Sequence, residues 1–320
     1  MLTSSSAMSR PTSERDILAI SGPTASGKTS LAVEVALYLG GEIVNFDSVQ
    51  IYRGIEIATA KPTATERCGV PHHLIDYVDP RTNYNAMDWA GDATAAILDI
   101  ESRGRTPILV GGTGFYLRTL REPLFVGPAT DENLRRRLQG IHAHRGAEYL
   151  HRLLKRVDPA AAASIELRDY VRSIRALEVY FQTGSRLSSE RQNRVKAPEF
   201  ARRIKLFVLN PPRDELYHKI NRRTEEHFAN GLVDEVERLR ASGVPDDTNA
   251  LGAHAYRRVC EYLRGERTLE SALEKAQQDV RNYAKRQLTW FRRETDAIWL
   301  EGFGTDAEVR HRLLAHLRTI

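Results

Sequence analysis

From residue 17 onward the apolar positions fall into two kinds of run. Ile17 to Ser21, Glu42 to Phe46 and Thr106 to Val110 are short and mostly apolar, as expected of strands covered on both faces. Ser30 to Leu39 and Trp89 to Arg103 instead repeat apolar residues at helical spacing. Strand and helix in alternation predict an α/β fold, a parallel sheet flanked by helices. The character changes at Asp131: residues 131 to 185 keep a helical period, are rich in Arg and contain no strand pattern. Ile204 to Leu209 reads as one further core strand. Pro211 and Pro212 follow, then an amphipathic helix opening near Asp214, with Leu216, Ile220, Phe228, Leu232, Val236 and Leu239 as its buried stripe and a kink expected at Gly231. The chain is thus predicted to build a core from 16–130 and 204–320, with an α-helical insertion over 131–203. A Ser- and Thr-rich leader over 1–15 is expected to be disordered.

Composition narrows the class. The chain has 320 residues, 41% hydrophobic and 28% charged, ordinary for a globular protein. No apolar run approaches the roughly 18 residues of a membrane span, so no membrane association is expected. Cys68 and Cys260 stand far apart in no metal-ligand spacing, which indicates neither a disulfide framework nor a zinc finger and suits the reducing cytoplasm. The net charge of +5 is unevenly spread: Asp131 to Lys205 holds 17 Lys and Arg against 9 Asp and Glu, the remainder 30 against 33. Basic charge concentrated in one segment suits a polyanion, because it releases counterions condensed on phosphates; an Arg-rich solvated helix surface is the alternative.

Gly22-Pro23-Thr24-Ala25-Ser26-Gly27-Lys28-Thr29 matches the P-loop pattern, with a strand before it and a helix after it. Such a turn aims successive backbone N–H groups at phosphate oxygens; Lys28 adds a full charge and Thr29 a candidate Mg²⁺ contact. The core is therefore expected to be P-loop NTPase-like, and linked phosphates to be its ligand. The P-loop alone also fits a kinase or ATPase, in which Asp47 at a strand end would be the Mg²⁺-binding acid.

The surrounding blocks point elsewhere. Asp47-Ser48-Val49-Gln50-Ile51-Tyr52, Thr59-Ala60-Lys61-Pro62, Pro71-His72-His73-Leu74-Ile75-Asp76, Val110-Gly111-Gly112-Thr113-Gly114-Phe115-Tyr116, Arg175-Ala176-Leu177-Glu178-Val179 and Lys285-Arg286-Gln287-Leu288-Thr289-Trp290-Phe291 resemble, in this order and spacing, the tRNA dimethylallyltransferase family from about Ile17 to Trp299. The resemblance implies transfer of a dimethylallyl group from dimethylallyl diphosphate to the exocyclic amine of the adenosine 3′ to a tRNA anticodon. It makes Asp47 the general base, sets the Thr113 hydroxyl against the bridging diphosphate oxygen, and matches Arg223 to an arginine that contacts diphosphate. Prenyl transfer needs these parts on chemical grounds too: a leaving group held and neutralised by P-loop amides, Lys28 and Mg²⁺, and a base beside the amine.

Each role has a plainer alternative. Asp47 before Ser-Val-Gln suits a helix cap, Thr113 an ordinary Gly-rich strand end, and Arg223 a solvated helix beside the chemically identical Arg222. Ser48 and Val49 are grouped with Asp47 and Gln50 as tRNA contacts, Gln50 reaching the base edge and Ser48 also supporting the turn. Arg172 and Arg175, three apart on a helix, would share a face suited to the phosphates of an anticodon stem-loop, or be merely solvated. His72 and His73 lack further ligands at metal spacing and read as structural.

Three positions depart from the family pattern. Ala58 and Ala255 stand where glycines are usual, at a cost of roughly 1 kcal/mol each if those glycines serve positive φ, and Val171 replaces a common Gln. The absence of a zinc-finger extension after the last block is expected of a bacterial or organellar type, and a monomer is expected. The nearest rival is an adenylate isopentenyltransferase acting on free nucleotide, to which an Arg-rich insertion would be of no use.

Overall fold

The structure is a computed structural model that describes residues 15–122, 127–190 and 196–318. The expected leader, apart from Arg15, lies outside the described residues.

Six strands form one parallel sheet in the order β3-β2-β4-β1-β5-β6. They are β1 (Ile17–Ser21), β2 (Glu42–Asn45), β3 (His72–His73), β4 (Pro107–Val110), β5 (Ile204–Asn210) and β6 (Ile298–Glu301). Every residue of β1, β2 and β4 is buried, as a parallel sheet covered on both faces requires. Helices α1 (Lys28–Leu39), α2 (Ala64–Arg67), α3 (Ala86–Ser102) and α4 (Gly114–Arg121) lie between or after the early strands; α9 (Arg213–Ala229), α10 (Leu232–Ala241), α11 (His254–Leu263), α12 (Leu269–Phe291) and α13 (Ala307–Arg318) follow β5. Between β4 and β5 come α5 (Glu132–Val157), interrupted at Gly146, then α6 (Pro159–Ser164), α7 (Tyr170–Thr183) and α8 (Leu187–Glu190).

Two strands escaped the sequence reading. β3 has two residues and β6 has four, one of them buried, too short and too little buried for an apolar run to reveal. His72 and His73 make up β3, where His73 Nε2 lies 2.7 Å from Glu42. Arg103 and His73 together hold the Glu42 carboxyl down to about 2, Arg103 foremost. That contribution to stability is present above the ordinary carboxylate range and is lost as pH falls through about 2. The expected kink at Gly231 is a full break: Gly231 has φ 90° and caps a new helix, α10.

The described residues divide into two compact units, one of Met1–Arg121 with Pro198–Ile320, the other of Glu122–Ala197. The boundaries differ from 130/131 and 203/204 because Phe200 and Ala201 of the turn Glu199–Arg203 are buried, Phe200 within the core cluster of the first unit. Arg202, Arg203 and Lys205 therefore belong to the first unit. The second keeps 14 Lys and Arg against 9 Asp and Glu, a smaller surplus that still equals the net charge of the whole chain. It has its own core of Leu138, Leu150, Leu154, Ile165, Ile174 and Leu177. No helix among the described residues is long and apolar enough to cross a membrane.

Candidate active site

Three neighbouring strands deliver the site. In the order β2-β4-β1, Asp47 follows β2, Thr113 follows β4 and the P-loop follows β1, all at the carboxyl edge where open α/β sheets bind ligands. The ends are tied: Ser21 Oγ donates to Gly111 O at 2.8 Å, Phe46 N to Val110 O at 2.8 Å, and Ser48 N to Thr113 Oγ1 at 3.0 Å. Thr113 thus stands between the P-loop and Asp47, with its hydroxyl fixed by the residue after the carboxylate.

The P-loop is held from beneath. Gly22 has φ 145° and a Cβ there would meet Leu209 Cβ at 2.9 Å; Gly27 has φ 83° and begins α1. Gly304 N, from the loop after β6, donates to Ser26 O at 2.8 Å. Lys28 Nζ donates to Pro23 O at 2.7 Å. Burial pulls the Lys28 ammonium down to about 8, with Asp47 opposing and Arg223 reinforcing the fall. Arg223 donates to Thr24 Oγ1, and burial lowers its pKa too, against the pull of Asp47. Arg222 turns outward, its side chain 78% exposed beside Glu226. The fold thereby separates two arginines that sequence could not.

Asp47 Oδ1 accepts Val49 N at 2.9 Å and Gln50 N at 3.2 Å. This is the capping geometry, and Oδ2 accepts no hydrogen bond among the described residues, its charge being felt by Lys28 and Arg223. Capping and proton acceptance are therefore compatible, one oxygen orienting the other. Gln50 Nε2 is committed to Thr59 O at 3.0 Å and Ala60 O at 3.1 Å, which leaves its carbonyl end for a ligand. The loop it holds is braced by buried Glu235, which accepts Glu56 N and Ile57 N and the Tyr256 hydroxyl at 2.6 Å; Ala58 N donates to that same hydroxyl at 3.0 Å. Neither Ala58 nor Ala255 has positive φ; the neighbours Ala60 and His254 do, at 51° and 33°. The strain attached to those two alanines is absent.

The sequence reading gave no role to α12, whose Tyr283, Gln287 and Trp290 form one helical stripe along the site. Gln287 Oε1 accepts Thr24 N at 2.8 Å and its Nε2 donates to Gly112 O at 3.0 Å, bridging the P-loop to the end of β4. A Cβ on Gly112 would lie 2.0 Å from Gln287 Nε2, and one on Gly114 2.2 Å from Trp290 Cδ1. The Tyr283 phenol is pushed up by burial and then by the charge of Asp47, against hydrogen bonds from Thr113 and Gln287. Its ring lies 4.1 Å from that of His254, which burial lowers to about 4 and so keeps neutral near pH 7. The spacing 283, 287, 290 was the available signal. Gly112→Ala should expel Gln287 from both hydrogen bonds and destabilise the protein by about 1 to 3 kcal/mol. Urea denaturation reads this; an unchanged midpoint would contradict the bridge.

In the second unit Arg172 and Arg175 differ in what they touch, although both reach solvent, Arg175 with 36% of its side chain exposed. The Arg172 side chain is 63% exposed, 3.4 Å from Asp169. Arg175 turns to Glu178, at 3.3 Å, and to Pro128 O, at 2.9 Å. The Glu178 carboxylate is fully buried and also accepts from Nε and Nη2 of Arg135, so Arg175 helps neutralise a buried charge. Val171 is exposed and makes no packing contribution that would account for the lost Gln. No group of three or more His, Cys, Asp or Glu among the described residues is arranged to hold a metal.

The model of the IPP transferase family matches residues 50–294, and that of the isopentenyl transferase family residues 15–82. A tRNA dimethylallyltransferase of Geobacter metallireducens is 47% identical over 285 residues, covering 89% of this chain and 92% of its own; one of Solibacter usitatus is 45% identical over 294 residues, covering 92% and 95%. The tRNA isopentenylpyrophosphate transferase of Bacillus halodurans, solved by crystallography, superimposes with a TM-score of 0.69 at 38% identity, covering 96% of this chain and 98% of that one. A eukaryotic dimethylallyltransferase acting on tRNA gives 0.76 at 26% identity, covering 95% and 79%.

Proposed function

Since the chain belongs to the IPP transferase family, we propose that it is a tRNA prenyltransferase that moves the dimethylallyl group of dimethylallyl diphosphate to the exocyclic amine of the adenosine 3′ to the anticodon. The observation that carries this reading is the placement of Thr113 between a complete phosphate cradle and a carboxylate with one free oxygen. P-loop amides, Lys28 and Arg223 receive the diphosphate, and Thr113 faces its bridging oxygen. As the amine lone pair forms the new C–N bond, the allylic C–O bond breaks, diphosphate leaves on the cationic cradle, and Asp47 takes the amine proton. Positive groups placed where charge develops lower the barrier most.

Mg²⁺ fits the residues present. Thr29 lies in the first turn of α1, the position from which a P-loop Ser or Thr hydroxyl contacts Mg²⁺, and such an ion takes most of its other ligands from substrate phosphates and water. The ion would neutralise charge on the departing diphosphate. A monomer working in the cytoplasm, where its tRNA substrate resides, completes the proposal.

The helical unit, with the chain's whole net positive charge, is the proposed clamp for the anticodon stem-loop. Of its two candidate arginines, Arg172 is the phosphate contact and Arg175 the structural one. Arg172→Ala should weaken tRNA binding and flatten its salt dependence by about one unit, whereas Arg175→Ala should lower stability by about 1 to 3 kcal/mol. Filter binding across a salt series separates them; an unaltered slope for Arg172→Ala would remove it from the interface. The function itself is tested with labelled dimethylallyl diphosphate, Mg²⁺ and either tRNA or AMP. Label on tRNA supports it, label on AMP alone makes the enzyme a free-nucleotide type, and ATP hydrolysis without transfer a P-loop ATPase.

A further inference from the structure

Phe115 is 42% exposed, two residues beyond Thr113 in the first turn of α4. Two residues of chain span at most about 7 Å, so its Cα lies within that distance of Thr113, and its ring meets α12 one turn on from Gln287, the residue that bridges the P-loop to the end of β4. It meets Trp290 edge to face, with centroids 6.2 Å apart and planes at 84°. Trp290 is itself fixed by the missing Cβ of Gly114, whose space its indole occupies, and it packs against the main core cluster. Phe115 is therefore a flat, partly exposed apolar ring on a rigid mount, a short stretch of chain from Thr113.

We propose that Phe115 is a stacking wedge for the nucleobase next to the acceptor adenosine. The inference rests on the tRNA reading above. An adenosine stacked in the anticodon loop must leave the stack before Asp47 can reach its amine, at a cost of a few kcal/mol. Its departure strips a neighbouring base of one stacking partner. An exposed aromatic ring mounted beside the site offers that base a new π-face, and stacking on an aromatic side chain contributes about 1 to 3 kcal/mol per base. Phe115 touches no reacting atom in this account; it holds the RNA open.

The test is a coupling cycle on an anticodon-arm hairpin, with prenyl transfer read as kcat/KM. Phe115→Ala on the intact hairpin should lose about 5- to 150-fold, the stacking contribution converted to a rate ratio. Phe115→Tyr should restore most of it, and both variants should bind dimethylallyl diphosphate as the wild type does, which also reports their folding. Hairpins carrying an abasic nucleotide on the 5′ or the 3′ side of the acceptor remove the stacking partner. On one of them, wild type and Phe115→Ala should react equally. If the loss from Phe115→Ala persists on both abasic hairpins, or Phe115→Ala reacts normally on the intact one, the wedge is overturned. Failure of the wild type on the intact hairpin would instead overturn the tRNA reading.

Discussion

Asp47→Asn is expected to bind dimethylallyl diphosphate and tRNA normally yet to transfer about 10² to 10⁴ times more slowly, the usual contribution of a positioned general base. Asn is the informative change because the cap and the proposed base function of Asp47 fall on different oxygens. The amide oxygen of Asn can accept Val49 N and Gln50 N as Oδ1 does, so the turn survives, while the free Oδ2 is replaced by a group that accepts no proton. Asp47→Ala would remove both functions and confuse a displaced loop with a missing base. Single-turnover transfer with saturating donor and tRNA is the measurement. A folded Asn variant within a few-fold of wild type would reduce Asp47 to a cap, and the proton would have to leave by way of water.

Lys28 should make donor binding sensitive to pH. In the free enzyme burial brings it to about 8, so the charge that attracts diphosphate is present below that pH and lost above it. Donor affinity should be flat from pH 6 to 7.5 and then fall toward tenfold per pH unit, because the neutral form must take up a proton to bind. Calorimetry in buffers of different ionisation enthalpy should register that proton uptake near pH 8 to 9. Lys28→Ala should abolish the dependence and slow transfer by about 10² to 10³, as loss of one stabilising donor commonly does. If wild-type affinity stayed constant to pH 10, another group would be supplying the charge. Arg223 cannot mimic this profile, since guanidinium stays protonated over the range.

The sequence by itself determined where the candidate-site loops lie and the class of the core, for a local reason. A P-loop is a contiguous segment whose glycines are dictated by its own backbone angles, at Gly22 and Gly27, and buried parallel strands announce themselves as apolar runs. Asp47 and Thr113 were likewise legible, each lying just past such a run. Strands without a continuous run, β3 and β6, were not. Nor could spacing say which of two like-charged residues is drawn into a tertiary contact. Arg223 and Arg222, or Arg175 and Arg172, differ only in what lies opposite: Thr24 in one case, the buried Glu178 carboxylate in the other. Both partners are set by tertiary packing. Gln287 is the clearest instance, 263 residues from the amide it accepts and 175 from the carbonyl to which it donates. Only the return of α12 to the sheet edge brings its two halves of the site together, because a side chain's hydrogen-bond partners follow from where its backbone is delivered in space.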